Sequence, residues 1–193
     1  MLPAGGVTWD YLQYPLGFSE MGCETYYVED TRLWPVYQQA GSDVSDCSAT
    51  IAHLSEVMKS FGMADCWAYR DEASGECFGM TSNRIREVCR SADVFVNVSC
   101  STFMREEYRR VPIRILIDSD PMFTQIQCET QTALTVGESG LRDMLDAHSH
   151  HFTFGENVNG PGCLMPDCGV SWQPTRQPVC LRHWGDFEPE GSK

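Results

Sequence analysis

The chain is poor in positive charge: 14 Lys plus Arg stand against 27 Asp plus Glu among 193 residues, a formal net charge of -13. Neutralising a phosphate backbone needs a basic surface that this balance does not supply, so nucleic acid is excluded as a general partner. Long hydrophobic runs are lacking as well, and no stretch of about 18 apolar residues is present to cross a bilayer. The opening Met1-Leu2-Pro3-Ala4-Gly5-Gly6 has neither the basic region nor the apolar region of a secretory signal, and the expected location is cytoplasmic. There is no internal repeat, and the ten cysteines contain no CxxC pair. They are scattered through apolar stretches such as Val88-Cys89 and Val98-Ser99-Cys100, which points to reduced thiols acting as small hydrophobes rather than to a disulfide framework.

What is present is core material. A hydrophobic fraction of 42% with 11% aromatics excludes a disordered chain, and a prior of about 150 residues per domain makes this one domain. The expected boundaries are a single unit over 1–184 and an acidic, unstructured tail over 185–193.

Periodicity orders the elements. Helical spacing runs from Gly6 to about Met21 through Trp9, Leu12 and Leu16, with Pro15 inside. A β-prone run, Glu24-Thr-Tyr-Tyr-Val-Glu-Asp30, follows, and Leu33 to Gly41 reads as loop. A second helix covers about Asp46 to Phe61, opened by Ser/Asp capping candidates and closed by Gly62. Trp67-Ala-Tyr-Arg-Asp and Cys77-Phe-Gly-Met suggest a small peripheral hairpin insert over about 66–80. Beyond it come a helix over Ser82–Ala92, a buried strand over 94–100, a short helix near Phe103 to Arg110, and a strand over Ile113–Asp118. Another helix over Glu138–Ala147 and a strand over His151–Phe154 complete the series.

This alternation predicts an α/β fold, a Rossmann-like open and mostly parallel sheet with helices on both faces. Such sheets bind ligands beyond the carboxyl ends of their strands, so the loops after Asp30, Cys100, Ile117 and Phe154 are the ones to watch. The chain opens at the Gly-rich turn that normally follows a first strand, so that strand is expected to be missing.

Several residues carry candidate chemistry. Asp118-Ser119-Asp120 places two carboxylates at the tip of a strand. They cap the helix that Pro121 starts, or face a ligand, or hold a divalent cation for phosphoryl transfer. His148-Ser-His150-His151, with Cys163 and Cys168 as possible thiolate ligands, fits no common zinc spacing; beside metal binding, a single histidine serving as general base and, for His148, a cation at a helix end are the competing readings. Glu156 and Asn157 follow the strand ending at Phe154 and either point into the crevice or form a turn. Arg176 either clamps a phosphate or carboxylate or pairs with one of the many acids.

Taken in order, Ala4-Gly-Gly6 through Trp9-x-x-Leu-Gln13, Tyr26-Tyr-Val-Glu-Asp30, Trp67-Ala-Tyr-Arg70, Ile117-Asp-Ser-Asp-Pro121, His151-Phe-Thr-Phe-Gly-Glu-Asn157 and Trp172-Gln-Pro-Thr-Arg-Gln-Pro-Val179 resemble the amino-terminal half of bacterial glycosyltransferases of the GT-B type. The resemblance implies two Rossmann-like domains facing across a cleft, the first binding mainly the acceptor and the second a nucleotide-sugar donor. The donor is then a substrate, with no cofactor and no metal. It also implies that Gly5 and Gly6 approach the donor diphosphate and acceptor, that Asp118, Asp120, Asn157 and Arg176 line or cap the ligand crevice, and that His151 or Glu156 deprotonates the acceptor hydroxyl. A donor-binding domain beyond Trp184 completes the cleft, so the chain is expected to be a fragment, a split enzyme needing a partner chain, or an inactive copy. An unpaired sheet edge gives it a tendency to self-associate. The alternative from another class is a non-catalytic α/β binding or regulatory protein acting with a partner.

Overall fold

The computed structural model describes residues 5–32, 46–130 and 140–185. The expected loop over 33–41 and the tail from 186 onward lie outside the described residues.

The first half packs two helices on a small sheet. Helix α1 (Gly5–Glu20) turns Leu12 and Leu16 inward and keeps Pro15 buried within it. Helix α2 (Ser48–Ser60) buries Thr50, Leu54 and Met58. Its start uses no side-chain cap at Cys47; instead the Asp46 carboxylate accepts from the Ser48 N–H at 2.9 Å. Both helices end in the same way, with a left-handed glycine (Gly22, φ 87°; Gly62, φ 74°) whose N–H and whose successor's N–H return to the last turn. That double closure satisfies carbonyls which the helix end would leave open. Strands β1 (Tyr27–Glu29), β2 (Trp67–Arg70) and β3 (Cys77–Gly79) form a sheet in that order, β1 parallel and β3 antiparallel to β2.

The hairpin is real, yet it is not peripheral. β2 is the central strand, and Trp67, Ala68 and Tyr69 are all buried. Its parallel partner β1 lies about forty residues upstream, and a pairing of two such short strands leaves no local signature. Gly79 is required at the hairpin: at φ 74°, a Cβ there would stand 2.3 Å from the Trp67 carbonyl oxygen.

The second half is a four-stranded, all-parallel sheet in chain order: β4 (Val94–Val98), β5 (Ile113–Asp118), β6 (His150–Thr153) and β7 (Trp172–Pro174). Helices α3 (Ser82–Ser91), α4 (Glu106–Arg109), α5 (Phe123–Thr130) and α6 (Gly140–Asp146) flank it. Thr81 caps α3 by accepting from the Arg84 N–H at 3.2 Å. The molecule is thus α/β with a parallel sheet flanked by helices, consistent with a Rossmann-like arrangement. Strand β7, three residues long and ending in proline, has no signature in the sequence pattern.

Among the described residues the two sheets share no ladder, but they are joined. The Phe103 N–H, in the loop after β4, donates to the Asp30 carbonyl just past β1 at 2.7 Å. One apolar cluster also runs from Val28 and Ala68 through Ile85 and Phe95 to Tyr108 and Met144. The loops that leave the carboxyl ends of β1, β4 and β5 are thereby brought together, the end of a parallel sheet at which ligands bind in open α/β folds.

Candidate functional site

A cleft of about 250 Å³ opens where these loops meet. Thr31 after β1, Ser99, Cys100 and Ser101 after β4, and Asp118 and Asp120 after β5 contribute to its wall. Three of the four loops singled out from the sequence meet here. The fourth, after Phe154, abuts the rim, since a Cβ on Gly155 would lie 3.3 Å from the Pro121 Cβ.

The loop after β4 is backbone under strain. Ser99 (φ 59°) and Cys100 (φ 52°) are consecutive non-glycine residues in the left-handed region, closed into a tight turn by the Ser101 N–H donating to the Val98 carbonyl at 3.1 Å. Each such residue costs roughly 1–2 kcal/mol, and backbone outliers of this kind concentrate where a protein positions groups for function. The turn is tied on both sides: the Ser99 N–H donates to the Ile117 carbonyl at 2.8 Å, and the Ser99 and Ser119 hydroxyls meet at 2.5 Å. Arg32 (φ 55°) and Met122 (φ 77°) are also left-handed, so the loops after β1, β4 and β5 each carry strain beside the cleft.

Asp118 forms the floor and is 1% exposed. One carboxylate oxygen accepts from the Thr124 hydroxyl (2.8 Å) and the Asp120 N–H (3.2 Å), and the other from the Gln125 amide (2.8 Å) and the Thr153 hydroxyl (2.9 Å). Four neutral donors saturate a group whose burial would otherwise be costly, and they lock β5, β6 and the start of α5 together. Asp120 is exposed at the rim.

Gln127, one turn further along α5, also lines the cleft. Its Nε2 is buried and has no hydrogen-bond partner among the described residues. An amide N–H₂ in that condition forfeits on the order of 1–3 kcal/mol, and an acceptor brought by a ligand would restore it. Phe103 and Phe123 supply aromatic surface, and among the described residues no Lys, Arg or His lines the cavity. The Cys100 thiol is pushed up to about 12, first by burial and then by Asp118 and Cys128, which makes it part of the wall rather than a nucleophile.

A second buried carboxylate stands behind the loop after β4. Asp30, 0% exposed, receives Arg105 bidentately (Nε at 2.6 Å, Nη2 at 2.9 Å) and the Tyr108 hydroxyl at 2.9 Å, while Arg70 Nε lies 3.6 Å away at ion-pair range. Arg105 and Arg70 continue to Glu72 and Glu107 at 2.9 and 2.6 Å. The hydrogen bond to Asp30 raises Arg105 above the ordinary guanidinium range, outweighing its burial, and burial followed by Asp30 raises Tyr108 above the ordinary phenol range. This network ties β1, β2 and α4 into one block.

The remaining residues nominated from sequence are placed apart from the cavity wall. His151 is buried on β6, its Nε2 donating to the Leu145 carbonyl at 2.9 Å and its ring edge-on to Trp172 at 5.6 Å. Burial lowers its pKa below the ordinary value, against the pull of that carbonyl. Glu156 and Arg176 are exposed and paired with one another at 2.6 Å. Asn157 lies in the same exposed turn, and Gly5 and Gly6 open α1, where a Cβ added at either would meet no described atom within 4 Å. Among the described residues, no group of three or more His, Cys, Asp and Glu is arranged to hold a metal, and no helix is long and apolar enough to cross a membrane. Of the cavity-lining residues only Asp118 and Asp120 were nominated from sequence; those missed include Ser99, Phe103, Phe123 and Gln127. The small polar run after an apolar strand signalled the first; Gln127 carried no signal.

No protein-family model, curated protein or solved structure matches the chain.

Proposed function

We propose that the chain is the acceptor-side half of a nucleotide-sugar-dependent glycosyltransferase of the GT-B kind, and that the cleft at the carboxyl ends of β1, β4 and β5 is its ligand site. The observation that carries this reading is the convergence, beyond the carboxyl ends of β1, β4 and β5, of a strained Ser99-Cys100 turn, a saturated carboxylate floor and an orphan amide. In this reading the exposed Asp120 carboxylate, rather than the packed His151 or the ion-paired Glu156, takes the proton from the acceptor hydroxyl. The donor's diphosphate is held by a second α/β domain closing over the cleft. The apolar side chains that α5 exposes beside the opening, Phe123 at 61% and Ile126 at 46%, are the surface that this domain covers.

The test is a transfer assay. The chain, isolated with whatever chains accompany it in its native host, is offered nucleotide-sugars and hydroxyl-bearing acceptors, and glycosylated product is read by mass spectrometry. Product formation that drops on Asp120→Asn is the expected result. Absence of product in every such complex would overturn the reading, whether or not an acceptor binds.

A second reading, a non-catalytic binding protein acting with a partner, is favoured by one observation: the histidine nominated as base is enclosed between Leu145 and Trp172. Saturable ligand binding with no transfer in any complex is its expected signature.

A further inference from the structure

We infer that the cleft selects its ligand by charge, taking an uncharged, polyhydroxylated molecule with an apolar face and rejecting phosphorylated or carboxylated ones. The inference deepens the reading above and rests on it, since it names the ligand class of the same site.

Among the described residues the cleft wall's polar groups are hydroxyls and amides, at Thr31, Ser99, Ser101, Thr124 and Gln127, and its charges are two carboxylates with no cation beside them. The Gln127 Nε2, buried and without a partner there, asks for an acceptor such as a ligand hydroxyl, ether or carbonyl oxygen. Asp120, with the opposite requirement, accepts from a ligand O–H. Phe103 and Phe123 give the apolar surface against which a ring's C–H face rests. Pockets with mostly apolar walls and a few placed polar groups fix orientation in this way.

The cations nearest the cleft do not change the balance. Arg32 lies over the Phe103 ring at 4.5 Å, and Arg105 lies over it at 5.6 Å. Arg32 is committed to Glu72 at 3.3 Å, and Arg105 to Asp30 and Glu72. Across the block, Arg32, Arg70 and Arg105 are matched by Asp30, Glu72 and Glu107, which leaves no net positive charge from these groups to face the opening. An anion entering the cleft would meet the Asp120 carboxylate and, beneath it, Asp118. At a spacing of several ångströms in a partly desolvated site, one such repulsion weakens binding by about tenfold.

The experiment is a calorimetric titration of the full chain with a panel of methyl glycosides of the common hexoses and pentoses, each beside its monophosphate. A glycoside that binds saturably while its phosphate binds about tenfold more weakly is the expected result. Gln127→Leu should abolish glycoside binding without shifting the melting temperature downward, since the orphan donor is removed. Asp120→Asn, at an exposed position, should narrow the gap between glycoside and phosphate. A phosphate binding as tightly as its glycoside, no glycoside binding at all, or unchanged glycoside affinity in Gln127→Leu would each overturn the inference. Glycoside binding without any sugar transfer would leave it standing and defeat the transferase reading instead.

Discussion

Asp30 and Asp118 stand at the ends of β1 and β5, on the two sides of the loop that follows β4, and both are excluded from water. The chain satisfies them by different means. Asp30 is met by two guanidiniums and a phenol, in a network that reaches on to two further acids; Asp118 is met by four neutral donors from its own loop, α5 and β6. A charged network binds distant elements strongly but leaves charges stranded if one member goes. A neutral one costs less when broken and shapes a surface locally without bringing a cation to it, so the carboxylate's own negative charge is left unmatched. The first kind stands behind the cleft, where rigidity is needed, and the second forms its floor, where an uncharged ligand is proposed to lie.

The comparison breaks most visibly at Asp30. Asp30→Ala removes the buried carboxylate shared by Arg105, Arg70 and the Tyr108 hydroxyl and is expected to cost about 3 kcal/mol, read as a fall in the midpoint of urea unfolding. Asp118→Asn keeps the shape but turns one acceptor into a donor facing the Gln125 amide or the Thr153 hydroxyl. About 2 kcal/mol is expected there, with loss of glycoside affinity at temperatures where the variant remains folded. If the two substitutions cost the same, the distinction between charged and neutral solutions fails.

A third prediction concerns pH. His148 is buried, its Nδ1 donates to the Met144 carbonyl at 2.7 Å, its Nε2 has no partner among the described residues, and burial lowers its pKa from 6.5 to about 4, with His151, Arg114 and Arg109 adding to the effect. Below 6.5 the unfolded chain binds this proton and the folded chain does not, so stability falls as pH drops from about 6.5 toward 4. His148→Phe, stacking on Phe95 in the histidine's place, is expected to flatten that part of the stability–pH profile. An unchanged profile would assign the acid sensitivity elsewhere. The smallest effect is at Arg176: its pair with Glu156 has side chains 80% and 58% exposed, so Arg176→Ala is expected to change stability by less than about 0.5 kcal/mol and to leave glycoside binding intact.

Much of the architecture was legible because local patterns carry it. The Ile51, Leu54, Met58 spacing and Gly62 define α2, and the β-branched run from Ile113 defines β5. The place of the cleft was legible too, since the carboxyl-end rule selects the loops after Asp30, Cys100 and Ile117. Individual site residues were harder. His151 looked available because it is a histidine near a strand end, but the strand's alternation puts it on the same face as buried Thr153, against Leu145. Gln127 looked ordinary because an orphan amide is a property of packing, and Asp30's network joins residues separated by up to 78 positions, which no spacing rule reaches.

The most direct test of the central claim is an amide NMR titration of the chain with the tightest-binding methyl glycoside. The account predicts saturable shifts at the backbone amides of Ser99, Cys100 and Ser101 and at the Gln127 side-chain N–H₂, with none at Glu156 or Arg176. Shifts confined to the Glu156–Arg176 surface, or to α1 around Gly5 and Gly6, would contradict it.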